Sequence, residues 1–210
     1  MLVYLVRHGE SEGNKLRFHQ VEETPLSKKG IKQAEVLAER LKNTKIDVIY
    51  SSKITRAKQT AEIISKKLNI PIEYWDNLVE MRTPTEIRGK SIDDPEVIKI
   101  KKLIEKKLDN GNWKYSNEET FNELNKRVKK LIKHLEDNHN DQNILCISHS
   151  TLIKALTAKI IFGQELTIDI FEKIRKSLWM ENTSISVFEK SKEYGWTLVT
   201  WSDRSHLYNF

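Results

Sequence analysis

Leu2-Val3-Tyr4-Leu5-Val6-Arg7-His8-Gly9-Glu10-Ser11 decides how this chain is read: a short β-rich run that breaks off into a cation, an imidazole and small hydrogen-bonding residues. Ile46-Asp47-Val48-Ile49-Tyr50, which leads into Ser51-Ser52, and Ile144-Leu145-Cys146-Ile147, which leads into Ser148-His149-Ser150, repeat the pattern. Much longer segments with helical periodicity separate the three. Alternation of this kind predicts an α/β fold, a three-layer α/β/α sandwich whose central sheet is mainly parallel and covered on both sides. In an open sheet of that type ligands bind at the carboxyl ends of the strands, which is where all three runs deliver their polar residues.

Between the first two runs, Ile31, Ala34, Leu37, Ala38 and Leu41 mark one face of a helix that Ser27 can cap, and Ala57, Ala61, Ile64 and Leu68 mark another after the second run. Ile70-Pro71-Ile72-Glu73-Tyr74-Trp75 reads as a third strand, with Pro71 at its start or on an edge. Asp94-Pro95, an N-cap followed by proline at the first helical position, opens a helix with Val97, Ile100, Ile104 and Leu108 on one side. Ser116 and Glu119 have capping-box spacing ahead of Phe121, Leu124, Val128, Leu131 and Leu135. Residues 94–138 are therefore expected to form a helical insertion over the C-terminal edge of the sheet, and its apolar stripes could serve the core or a homodimer contact. Leu152, Leu156 and Ile160 follow the third buried run, with Gly163 as a helix stop, and Ser184–Phe188 and Trp196–Trp201 read as alternating strands joined around Gly195. No repeat or linker splits the chain, so 1–210 is expected to be one domain.

Composition narrows the function classes. The 36 Lys+Arg and 30 Asp+Glu among 210 residues give a net charge of +6. Much of the positive charge lies in runs such as Lys99-Ile100-Lys101-Lys102 and Lys126-Arg127-Val128-Lys129-Lys130, where apolar residues recur at helical spacing. These are read as solvated helix faces, not a nucleic-acid stripe, while the excess charge suits anionic small molecules. No apolar run reaches the ~18 residues of a membrane span, and no basic region precedes the first apolar stretch, so no membrane or signal segment is expected. Cys146 is the single cysteine, which excludes an internal disulfide and suits a cytoplasmic protein.

Three segments carry chemistry. Arg7-His8-Gly9-Glu10-Ser11-Glu12-Gly13-Asn14 and Ser148-His149-Ser150 bring two histidines to strand ends where they can converge. Ser51-Ser52-Lys53-Ile54-Thr55-Arg56 puts Arg56 in the first turn of a helix, where a guanidinium and free backbone N–H groups favour an anion such as phosphate. His19, His134, His139 and His206 show no metal spacing and are read as surface or packing residues. Phe18, Trp113, Tyr115, Tyr208 and Phe210 could line a pocket, while Trp75 is read as core.

These residues resemble the histidine phosphatase superfamily, also called the phosphoglycerate mutase-like family, whose signature Arg-His-Gly-Glu/Gln-Ser/Thr stands here as Arg7-His8-Gly9-Glu10-Ser11. The resemblance continues through Asn14, Thr24–Ala34, Ser51–Ala61 and Ser148-His149, and is weakest in the helical insertion. It implies that His8 attacks phosphorus and becomes phosphohistidine, with Arg7, Arg56 and His149 neutralising the non-bridging oxygens. It implies a general acid in the loop after the third strand, where Leu78-Val79-Glu80 offers Glu80 and Glu86 competes. Asn14 and Ser150 are expected at the phosphate, Ser150 where many relatives have glycine, and Glu22–Leu26 replaces a glycine-containing turn. Arg82 and Arg88 either bind a second anionic group or are solvated. The expected activity is metal-independent and cofactor-free hydrolysis of a small phosphomonoester. A cofactor-dependent phosphoglycerate mutase using the same residues is the alternative, and a non-catalytic phosphate-binding regulatory module a distant one.

Overall fold

The computed structural model describes residues 1–107 and 111–208, and the expected contributions of Leu108 and Phe210 lie outside the described residues. Six strands form one sheet: β1 Leu2–Arg7, β2 Val48–Ser51, β3 Ile72–Tyr74, β4 Asn143–Ser148, β5 Ile185–Ser191 and β6 Gly195–Asp203, in the order β3-β2-β4-β1-β5-β6. The first four in that order are parallel, β5 runs antiparallel to β1, and β6 runs antiparallel to β5. The mainly parallel sheet expected from the buried runs is thus found, closed on one side by the C-terminal hairpin.

Side-chain alternation assigns the two covering layers. Val3 and Leu5 on β1, Ile144 and Cys146 on β4, and Phe188 on β5 point into one core with α5 (Phe121–Asn138), α6 (Ser150–Phe162) and α7 (Ile168–Ser177). Val6, Ile49, Leu145, Ile147 and Ile185 point into the other with α2 (Lys28–Leu41) and α3 (Thr55–Leu68). A short helix α1 (Glu12–Leu16), not anticipated from the sequence, is held by a reciprocal Ser11–Asn14 capping box. Ser27 caps α2 by accepting from Gly30 N, and Asp94 caps α4 (Pro95–Lys106) by accepting from Glu96 N and Val97 N.

The 94–138 segment resolves into two parts. α4 packs Val97, Ile100 and Ile104 on Ile87 in a small cluster of its own, while Leu124, Val128, Leu131 and Leu135 of α5 enter the main core as the crossover to β4. The capping box proposed at Ser116 and Glu119 lies one turn later, at Thr120 and Glu123. Ser116 instead donates its hydroxyl to Glu86 at 2.7 Å, and Glu119 is taken by Arg127. Among the described residues no helix is long and apolar enough to cross a membrane.

Candidate active site

Strand register builds the site. Arg7 on β1 pairs with Ser148 on β4, and Ser51 on β2 with Ile147, so the three strands end level. Each ladder continues one residue further, with His8 N donating to Ser148 O and Ser52 N to Ile147 O, both at 3.0 Å. His8, His149 and Ser52 therefore leave the sheet side by side, and the His8 and His149 ring centroids are 5.1 Å apart.

Hydrogen bonds fix both imidazoles. His8 Nδ1 is 2.7 Å from Gly9 O, which can only accept, so Nδ1 carries the proton and Nε2 keeps its lone pair. That lone pair accepts Arg56 Nε–H at 3.2 Å. Ser52 Oγ accepts from Ile54 N at 3.3 Å and lies within hydrogen-bond distance of His149 Nε2, at 2.9 Å. The other ring nitrogen, His149 Nδ1, is buried without a partner among the described residues, and so is Arg7 Nε. Arg7 is otherwise anchored by Nη1 donating to Met180 O at 2.6 Å.

The loop after β1 is pressed against the start of α2. Gly9 N donates to Thr60 Oγ1 at 3.1 Å, and Thr60 in turn donates to Arg56 O at 2.7 Å, joining the loop after β1 to α3 through one hydroxyl. A Cβ on Gly9 would lie 2.5 Å from Gly30 O, and one on Gly30 would lie 1.8 Å from Glu10 O, so both glycines are required by backbone proximity.

Charge is concentrated here with little compensation. Burial, followed by the Arg56 and Arg7 guanidiniums, holds His8 well below the usual histidine range, and burial with Arg56 does the same to His149. Arg56 itself is pulled down to about 10, first by burial, with Glu80 opposing and Arg7 adding to the effect. Two guanidiniums and two neutral imidazoles in one buried group form a site suited to a compact anion.

Arg7, His8, Asn14, Arg56, Glu80 and Ser150 line a cleft of about 1150 Å³, and Arg82 and Arg88 line it as well. His149 does not reach the lining and sits fully buried beside His8. The Glu80 carboxylate accepts from Met81 N at 2.9 Å and from Thr151 N and Leu152 N at 3.1 Å each, at the start of α6 beside Ser150. Glu86 is exposed, bonded to Ser116, and outside the cleft. Asn14 Oδ1 accepts from Ser11 within the α1 cap. Arg88 turns its guanidinium back onto Thr83 O at 2.7 and 3.0 Å, whereas Arg82 is exposed. Phe18 and Trp113 lie on the cleft, while Trp75 packs against Tyr50 and His134 in the core.

Sequence reading missed four contributors. Asn182 donates to His8 O at 2.9 Å, and Thr183 N donates to Arg7 O at 2.9 Å, so the corner before β5 grips the end of β1. The available signal was strand direction, since an antiparallel strand begins at the edge where parallel ones end. His19 lines the cleft. Arg127, placed with the lysines on a solvated face, is instead largely buried: its side chain is 12% exposed and paired with Glu119 at 3%.

A sheet ending in paired histidines and arginines is the arrangement of an enzyme that handles phosphate, of the phosphatase and mutase type. The family description of the histidine phosphatase superfamily (branch 1) matches residues 3–204, and the chain belongs to that superfamily. It is 30% identical over 210 residues to the uncharacterized phosphatase PhoE of Bacillus subtilis (strain 168), covering 99% of this chain and 97% of that one. It is 29% identical over 218 residues to phosphoglycerate mutase-like protein 4 of Arabidopsis thaliana, covering 98% and 86%. Among solved structures, phosphoserine phosphatase from Entamoeba histolytica in complex with 3-phosphoglyceric acid shares the fold, with a TM-score of 0.80 at 23% identity and 98% of both chains covered.

Proposed function

We propose that the protein is a metal-independent phosphomonoesterase that hydrolyses a small phosphorylated metabolite through a phosphohistidine on His8. The observation that carries this reading is the state of His8: protonated on Nδ1 by its bond to Gly9 O, unprotonated on Nε2, and held neutral by burial among arginines. A neutral ring nitrogen beside two guanidiniums is a nucleophile aimed at an electrophile that brings its own negative charge.

In the first step His8 Nε2 bonds to phosphorus as the bond from phosphorus to the alcohol oxygen breaks, and Glu80 gives that oxygen a proton. Arg56 moves its Nε–H from His8 Nε2 to a phosphoryl oxygen, and the unpartnered Arg7 Nε–H and, protonated on Nδ1, His149 supply further donors. In the second step Glu80 takes a proton from water, the resulting oxygen attacks phosphorus, the P–N bond breaks and phosphate leaves. Asn14 and Ser150 border the phosphate, and Arg82, exposed on the cleft, is a cation that can meet a second anionic group of the substrate.

The test incubates protein with EDTA and a panel of phosphomonoesters, including 3-phosphoglycerate with and without 2,3-bisphosphoglycerate, with His8→Ala as control. Phosphate and 2-phosphoglycerate are measured together. Phosphate release lost in His8→Ala supports the hydrolase. Formation of 2-phosphoglycerate with little phosphate would replace it by the mutase, and inactivity of the wild type on every ester would leave a phosphate-binding module.

A further inference from the structure

We infer that Arg127 is the positioning residue of Glu80, an assignment that rests on Glu80 acting as the general acid. Arg127 lies on α5 at the border of the apolar stripe, between Leu124 and Leu131, whereas Lys126, Lys129 and Lys130 around it are exposed. Its Nε and Nη2 donate to the two oxygens of Glu119 at 2.8 and 2.6 Å, a bidentate pair. Its Nη1 donates to Asn77 O at 3.0 Å and to Val79 O at 2.7 Å. Ser148, the residue before His149, donates to the carbonyl between them, Leu78 O, at 2.7 Å. The carbonyls of 77, 78 and 79 are all held, and the next residue is Glu80.

The other end of the pair braces the far side of the same loop, because Glu119 N donates to Arg82 O at 3.0 Å. The guanidinium thus holds the backbone before Glu80, and the main chain of the residue it grips holds the backbone after it. A buried ion pair is a weak source of stability, since matched apolar side chains of similar volume serve as well. What a planar fork adds is direction, and a lysine cannot reproduce four donors in one plane. Both residues border the cleft, where a displacement of about 1 Å in a proton donor costs on the order of 100-fold in rate.

The leaving group separates positioning from mere folding. An alkyl alcohol leaves only if protonated, whereas 4-nitrophenolate leaves without help. The experiment measures kcat/KM on glycerol 3-phosphate and the single-turnover nitrophenolate burst from 4-nitrophenyl phosphate. The enzymes are Glu80→Gln, Arg127→Lys and the pair Arg127→Met with Glu119→Leu, which leaves no unpaired buried charge. Glu80→Gln is expected to lose roughly 100-fold or more on the alkyl ester and less than about threefold in the burst. The paired variant is expected to show the same pattern, Arg127→Lys a smaller alkyl loss of about tenfold, and the paired change added to Glu80→Gln no further loss. Equal losses on both substrates in the Arg127 variants, or none on either, overturn the inference while Glu80 keeps its role. Equal losses in Glu80→Gln overturn both, and place the failure at Glu80. If the paired variant does not fold, Arg127→Lys carries the same readout.

Discussion

Gly30→Ala sets two effects of opposite sign against each other. On an exposed helix, alanine for glycine stabilises by about 1 kcal/mol. Gly30 is in the first turn of α2, and its neighbour is the backbone of the loop after β1: the new Cβ would stand 1.8 Å from Glu10 O and 2.7 Å from Glu10 C, where real contacts essentially never fall below 3.0 Å. Loop and helix must part by more than an ångström, and neither atom belongs to a side chain that could turn away. Two hydrogen bonds span that gap, Ser27 N to Glu10 O at 2.8 Å and Glu10 N to Gln33 Oε1 at 2.9 Å. Overpacking of this kind costs about 1–3 kcal/mol and each bond about 1 kcal/mol more, so the net loss after the helix gain is about 2–4 kcal/mol. For a chain of this length that corresponds to a fall in Tm of roughly 4–16 °C. Thermal denaturation followed by circular dichroism gives the shift, and phosphatase activity well below both transitions shows whether His8 has moved with the loop. An unchanged or raised Tm would refute the reasoning, because it would mean that the helix term wins and the glycine contact is not tight.

Four further expectations concern the buried groups. Because burial and two arginines lower the His8 pKa, the proposed nucleophile stays unprotonated below the ordinary histidine range, so the acid limb of kcat/KM is expected well under pH 6.5; an acid limb at 6.5 or higher contradicts this. For stability the sign is the same: His8, His149 and His206, the last pulled down to about 4 mainly by burial, exclude protons that the unfolded chain accepts below 6.5. Stability is therefore full above that pH and falls as pH drops, and His206→Gln is expected to flatten urea-measured stability between pH 6.5 and 4 by up to one proton. Ser52→Ala removes the partner of His149 Nε2, leaving both ring nitrogens buried without one; a loss of about 1–3 kcal/mol in denaturant unfolding is expected, and a neutral result would detach Ser52 from the site. Cys146 is buried and its thiol is pushed up to about 12, so Ellman's reagent should label it only after denaturation.

How far the sequence carried depends on whether local pattern or tertiary partner makes the choice. The three buried strands were legible because each is an apolar run between polar punctuation, and Ser27 and Asp94-Pro95 because a cap is a local bond. Arg7, His8, Arg56 and Ser150 were legible as neighbours on one cleft because strand ends and helix starts share an edge, whereas Glu80, in the loop after β3, was reached only through the family resemblance. The capping box was misplaced because Ser116/Glu119 and Thr120/Glu123 have identical spacing, and the decision belongs to distant groups: Glu86 takes the Ser116 hydroxyl and Arg127 takes Glu119. Arg127 itself was unreadable, since at the rim of an amphipathic stripe an inward guanidinium and an outward lysine occupy the same periodic position. Asn182 and Thr183 were missed because their partners, Arg7 and His8, are more than 170 residues away in the chain.

That separation sets the order in which the protein comes to life. The signature residues are made well ahead of the corner that holds their carbonyls, near residue 183, which follows after about 9–35 s of further synthesis at ordinary elongation rates. For most of that interval β1 has neither of its final neighbours, because β4 begins only at Asn143 and β5 only at Ile185. On the proposed reading, a nascent chain that already carries His8, Arg56, Glu80 and His149 still lacks the bonds that set His8 in place, and a chain stopped before the last hairpin is expected to be inactive, however complete its motif.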